Sequence, residues 1–138
     1  MTDKGSTVAK GSTKLIVFDW DGTLMDSTGH IVFCMREAIA QLNMLPLTDQ
    51  QISHIIGLGL PEAVKTLYPD SSVQDAQMLA ATYREIWLHH PFEAPLFDNA
   101  LNILQKLADQ NVLLGVATGK GRRGLDKVLN ETGLADLF

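Results

Sequence analysis

The 138-residue chain has a single cysteine, Cys34, so no internal disulfide can staple its fold. Basic residues are also in deficit: 11 Lys and Arg against 16 Asp and Glu leave a formal net charge of −5. Without a run of basic residues, the chain lacks the electrostatic footprint that phosphate-backbone binding requires, which argues against a nucleic-acid partner. Long apolar runs are missing as well. LIVF at 15–18 is among the longest, far short of the roughly 18 residues that a membrane-spanning helix needs. The opening MTDKGSTVAKGSTK has no apolar stretch of the secretory type, and the expectation is a cytoplasmic protein. With 46% hydrophobic and 20% charged residues, the balance is that of a globular chain, long enough for one core and short for two independent domains.

What is present divides unevenly. Residues 1–13 are polar and read as a flexible tail. Lys14 to Phe18 is a continuous apolar, largely β-branched run, the pattern of a strand buried on both faces in a parallel sheet. Asp26 or Ser27 then caps a helix carrying Ile31, Val32, Met35, Ile39 and Leu42 at helical spacing. Thr48 to Gln51 has the form of a capping box, as does Ser72 to Asp75. Residues 28–91 therefore read as all helix, broken at Gly57-Leu58-Gly59 and stopped at Pro91. Asp98 is placed to cap a further helix, Val112 to Ala117 reads as a second buried strand, and another helix ends at Gly133. The order is strand, helical insert, helix, strand, helix, which opens an α/β fold with a parallel sheet.

The chemistry sits at the strand ends. Asp19-Trp20-Asp21-Gly22-Thr23 follows the first strand directly, where α/β sheets place their ligands. If the strand geometry persists, Asp19 and Asp21 face one side and Trp20 the other. Gly22 removes a side chain where the backbone must turn and a bulky anion could approach, and Thr23 offers a hydroxyl there. Two carboxylates this close repel each other and an anionic substrate unless a cation or a shared proton compensates; oxygen-only ligands beside a phosphate suggest Mg²⁺. One carboxylate could then attack phosphorus while its neighbour handles protons. The plainer reading, two Asp residues that merely cap a turn, does not account for the added Gly-Thr or the preceding apolar strand.

Thr118 holds the corresponding place after the second strand, and Gly119, Lys120 and Gly121 open a helix whose free N–H groups suit an anion. Thr118 would offer its hydroxyl and Gly119 its N–H. Lys120 reads equally as an added charge on a phosphoryl oxygen or as a solvated lysine. FDWDGTLMDS at 18–27 and LLGVATGKGRRGLDKVL at 113–129, separated by a helical insert, resemble the first and second motifs of the haloacid dehalogenase superfamily, in its phosphoglycolate phosphatase-like branch.

The resemblance implies a Rossmann-like core over 14–27 and 92–138 and a helical cap over 28–91. It also implies Mg²⁺-dependent hydrolysis of a small phosphorylated metabolite such as 2-phosphoglycolate. By position, Asp19 would be the nucleophile and Asp21 the general acid and base. Asp19 and the backbone carbonyl of Asp21 would bind Mg²⁺, and Thr118 the phosphoryl group. The family pattern continues with a lysine motif and an acidic pair, neither of which follows before Phe138. The chain thus reads as C-terminally truncated, with an apolar edge on the first strand open to self-association through the incomplete sheet. Alternative readings are a phosphosugar mutase of the same superfamily and a catalytically silent fragment. Elsewhere, Cys34 reads as a core residue, His89 and His90 as solvated helix-terminal residues, and Tyr83, Ile86 and Trp87 as cap packing. Gly57-Leu58-Gly59-Leu60 is either a loop facing the substrate or a plain turn.

Overall fold

A computed structural model describes residues 12–90 and 94–138. Most of the expected tail and the helix-stopping Pro91 therefore lie outside the described residues. The elements run β1 (Leu15–Phe18), α1 (Thr28–Gln41), α2 (Asp49–Ser53), α3 (Leu60–Leu67), α4 (Val73–His89), α5 (Ala100–Asp109), β2 (Leu113–Val116), α6 (Arg122–Thr132) and a 3₁₀ turn at Ala135–Leu137. None of these helices is long and apolar enough to cross a membrane.

The two strands pair in parallel, Leu15 opposite Leu113 and Phe18 opposite Val116. The ladder is prolonged at both ends, where Leu113 donates to the Lys14 carbonyl at 2.9 Å and Ala117 to that of Phe18 at 2.8 Å. This register brings the two chemistry-bearing loops, 19–23 and 118–121, to the same end of the sheet. Two further backbone bonds fasten the exit and return of the helical insert: Asp26 N–H to the Pro95 carbonyl at 2.8 Å and Phe97 N–H to that of Leu24 at 2.9 Å.

Packing forms two apolar clusters. Trp20, Leu24, Leu104, Leu114, Leu125, Leu129 and Leu134 are buried together around the sheet and its helices. Met35, Ile39, Ile52, Val64 and Leu79 form a second cluster inside the insert. Tyr83 and Ile86 of α4 pack against both, so this helix joins them.

Local signals hold where they depend on neighbours in the chain. Thr48 and Gln51 make both bonds of a capping box, and Ser72 accepts from the Asp75 N–H. Gly133, at φ +72°, ends α6 in the left-handed conformation that favours glycine. Three expectations are corrected. Neither strand is buried as expected: Leu15, Ile16 and Val17 of β1 keep 60%, 37% and 53% of their surface exposed, and Leu113 of β2 keeps 57%. Apolar composition states a strand's demand for cover, and among the described residues each strand has the other as its one strand neighbour. Asp98 does not cap α5; it lies in a turn, and Asn99 takes the flanking position at φ +67°. Ser27 flanks α1 but leaves the helix N–H groups uncapped, because its hydroxyl is engaged at the site.

Candidate functional site

Both loops open on a cavity of about 410 Å³, lined by Asp19, Asp21, Thr118, Gly119 and Lys120 from the sheet side and by α1, α3, α4 and the 55–59 loop from the insert. The expected alternation places Trp20 fully buried in the core while the flanking carboxylates line the cavity. Gly22 and Thr23, expected beside a phosphate, do not line it. Gly22 turns the chain at φ +78°, a conformation that side chains other than glycine's resist. Thr23 points its hydroxyl at Asp19, donating to Oδ2 at 3.0 Å.

The two carboxylates are held differently. Asp21 accepts from the Ser27 hydroxyl at 2.6 Å on Oδ1 and pairs with Lys120 Nζ at 3.3 Å on Oδ2. Both partners of this ion pair are nearly enclosed, with side chains 9% and 12% exposed for Lys120 and Asp21. Lys120 is therefore not the solvated lysine of the plainer reading. Asp19 is exposed to the cavity, and Thr23 is its one hydrogen-bond partner among the described residues. Thr118 Oγ1 accepts from the Lys120 N–H at 3.1 Å, which fixes the turn that carries both groups.

Lys120 also reaches from the sheet side to a helix of the insert. Its Nζ lies 4.2 Å from the ring centroid of Trp87 on α4, and Lys127 Nζ lies 5.5 Å from the same ring; such contacts are attractive because the ring face is electron-rich. Trp87 is thus more than packing, since it also lines the cavity. A second crossing is made by backbone. A Cβ at Gly119 would fall 2.3 Å from the Leu58 carbonyl oxygen, so only glycine permits this approach. Together with the place of 57–60 in the cavity lining, it resolves the Gly57-Leu58-Gly59-Leu60 question in favour of a loop that faces the site.

His30 was invisible in the sequence pattern, yet it is buried on α1 beside this assembly. Its ring centroid lies 6.1 Å from that of Trp87 and 5.6 Å from that of His90. Burial, followed by the charges of His90, Lys120 and Lys127, lowers its pKa to about 4 against a weaker opposing pull from Asp21, so His30 is neutral at pH 7. His90 is not simply solvated, since its ring also packs at 4.7 Å from Phe33. His89 is exposed and pairs with Glu85 at 3.3 Å. Cys34 is buried as expected, and burial pushes its thiol up to about 11, which makes it a poor nucleophile. Burial likewise raises the Tyr83 phenol.

Comparison with known proteins agrees with the fold. The sequence profile of the haloacid dehalogenase-like hydrolases matches residues 16–138. A phosphoglycolate phosphatase from Agrobacterium fabrum is 25% identical over 130 residues, covering 90% of this chain and 55% of the relative. The tyrosine-protein kinase PtkA of Mycobacterium tuberculosis is 28% identical over 128 residues, 92% of this chain and 43% of the relative. Among solved structures, a predicted phosphatase from Clostridium acetobutylicum superposes with a TM-score of 0.81 at 24% identity, over 91% of this chain and 58% of that one. The chain thus spans about half the length of the curated relatives it matches.

Proposed function

The chain belongs to the haloacid dehalogenase-like hydrolase family, and from that premise we propose that its cavity serves Mg²⁺-dependent hydrolysis of a small phosphomonoester through an aspartyl phosphate on Asp19. The observation that carries this reading is the unequal holding of the two carboxylates. Asp19, exposed and steadied by one hydroxyl, is placed to attack phosphorus; Asp21, held by Ser27 and Lys120, is placed to manage protons.

In the first step an Asp19 oxygen bonds to phosphorus and the ester P–O bond breaks, with Asp21 passing a proton to the leaving oxygen. In the second step Asp21, now a carboxylate, takes a proton from water, which attacks the phosphoryl group and releases Asp19. Thr118 and the Gly119 N–H would receive phosphoryl oxygens.

The donor set fits a hard cation. Asp19 offers a carboxylate to the cavity, and Mg²⁺ characteristically takes one or two carboxylates together with phosphate oxygens and water. No group of three His, Cys, Asp or Glu residues gathers for a metal among the described residues; the family resemblance implies that Asp19 would act with the backbone carbonyl of Asp21. Held there, the ion would supply the positive charge that lets an anionic carboxylate approach an anionic phosphate. Residues 28–91 act in this reading as a cap over the core. The test is phosphate release from p-nitrophenyl phosphate with Mg²⁺. Asp19→Asn should lower turnover by on the order of 10⁴-fold or more, as loss of a nucleophile does elsewhere; unchanged turnover would remove Asp19 from the mechanism.

A further inference from the structure

The cavity has two chemically opposite walls. The sheet side brings Asp19, Asp21, Thr118 and Lys120, whereas the insert faces them with Ile56, Leu58, Leu60, Pro61, Tyr83 and Trp87. At about 410 Å³, the space falls within the range of roughly 300–1,000 Å³ that encloses organic ligands. A phosphoryl group and two carbons would leave much of it as water against apolar side chains, which is unfavourable.

The distribution of charge points the same way. A substrate with a second anionic group, such as a carboxylate, needs an enclosed cation to offset its desolvation. Lys120 is the one enclosed cation among the described lining residues, and Asp21 already holds it. Arg84, Arg122 and Arg123 line the cavity from exposed positions, and Arg122 pairs with Asp126 at 3.4 Å. These arginines can draw anions toward the mouth, but they provide no enclosed seat for a carboxylate.

We propose that the phosphomonoester taken here carries an apolar body several carbons long, seated between Leu58, Tyr83 and Trp87, and not the two-carbon acid of phosphoglycolate. This rests on the phosphomonoesterase reading and sharpens its substrate class. The Gly119–Leu58 approach sets the junction: the phosphoryl group lies on the 118–121 turn, and the body continues under the 57–60 loop.

The test is isothermal titration of the 138-residue chain, with Mg²⁺, against inorganic phosphate, hexanol, and methyl-, butyl- and hexylphosphonate, which cannot be hydrolysed. Affinity should rise about fourfold for each methylene that enters the cavity, with an increasingly negative heat-capacity change. Leu58→Ser, at a position 41% exposed, should flatten that dependence. Equal affinity for methyl- and hexylphosphonate, with inorganic phosphate still bound, would overturn the apolar-body inference alone. Hexanol binding as tightly as hexylphosphonate would also overturn it, since the site would then ignore the phosphoryl group. If inorganic phosphate and every phosphonate fail to bind, the phosphomonoesterase reading falls and takes this inference with it.

Discussion

The helical insert and the sheet bury their apolar residues to different degrees. In the insert, Met35, Ile52 and Leu79 are fully enclosed, because helices satisfy their own backbone and need only side-chain partners. The two strands leave Leu15, Val17 and Leu113 more than half exposed. A strand's backbone and both its faces must be covered by other elements. The contrast carries into the cavity, since the insert supplies most of its apolar wall and the loops at the strand ends supply the enclosed Asp21–Lys120 pair.

The largest break in this contrast should come from opening the sealed region. Leu79→Ala would leave a cavity in the insert cluster and cost about 2–5 kcal/mol of unfolding free energy, measurable by urea titration. A loss below about 1 kcal/mol would mean that the insert is as loosely packed as the sheet.

A smaller effect should appear at the seam. Below its unfolded value near 6.5, His30 binds protons more readily in the unfolded chain than in the fold, where its pKa is about 4. Stability is therefore fully present above pH 6.5 and declines as pH falls toward 4. His30→Gln should flatten the fall in melting temperature between pH 7 and 5.5. An identical slope in both proteins would place the titrating group elsewhere.

The smallest effect is expected on the open side. Val17→Lys, at a site 53% exposed, should change stability by no more than about 0.5 kcal/mol. It should also weaken any self-association through the strand, read by sedimentation. A large loss of stability would show that β1 is covered in solution.

How far the sequence could be read follows the same division. The capping box at Thr48–Gln51, the Gly133 stop and the strand-ending Asp19–Asp21 pair are all written within a few residues, and the structure places them as read. The exposure of β1 was not legible, because burial belongs to neighbouring elements and not to LIVF itself. Nor were the contacts that assemble the site across distance. Ser27 looks like a helix cap but serves Asp21; Trp87 looks like packing but also bears Lys120; His30 carries no motif and is set by three-dimensional crowding. Gly22 was legible as a turn, though not its place away from the cavity; Thr23 was legible as a necessary residue but not in its role, which is to hold Asp19.

The central claim is that Asp19 takes the phosphoryl group while Asp21 manages protons. Asp21→Asn treated with p-nitrophenyl phosphate and Mg²⁺ tests it most directly, since this leaving group departs without protonation while attack by water still needs the missing base. After an acid quench, the account predicts one added phosphoryl group on the peptide that contains Asp19, and none when Asp19→Asn is introduced as well. A phosphoryl group on another residue, or an equal amount of label without the Asp19 carboxylate, would contradict it.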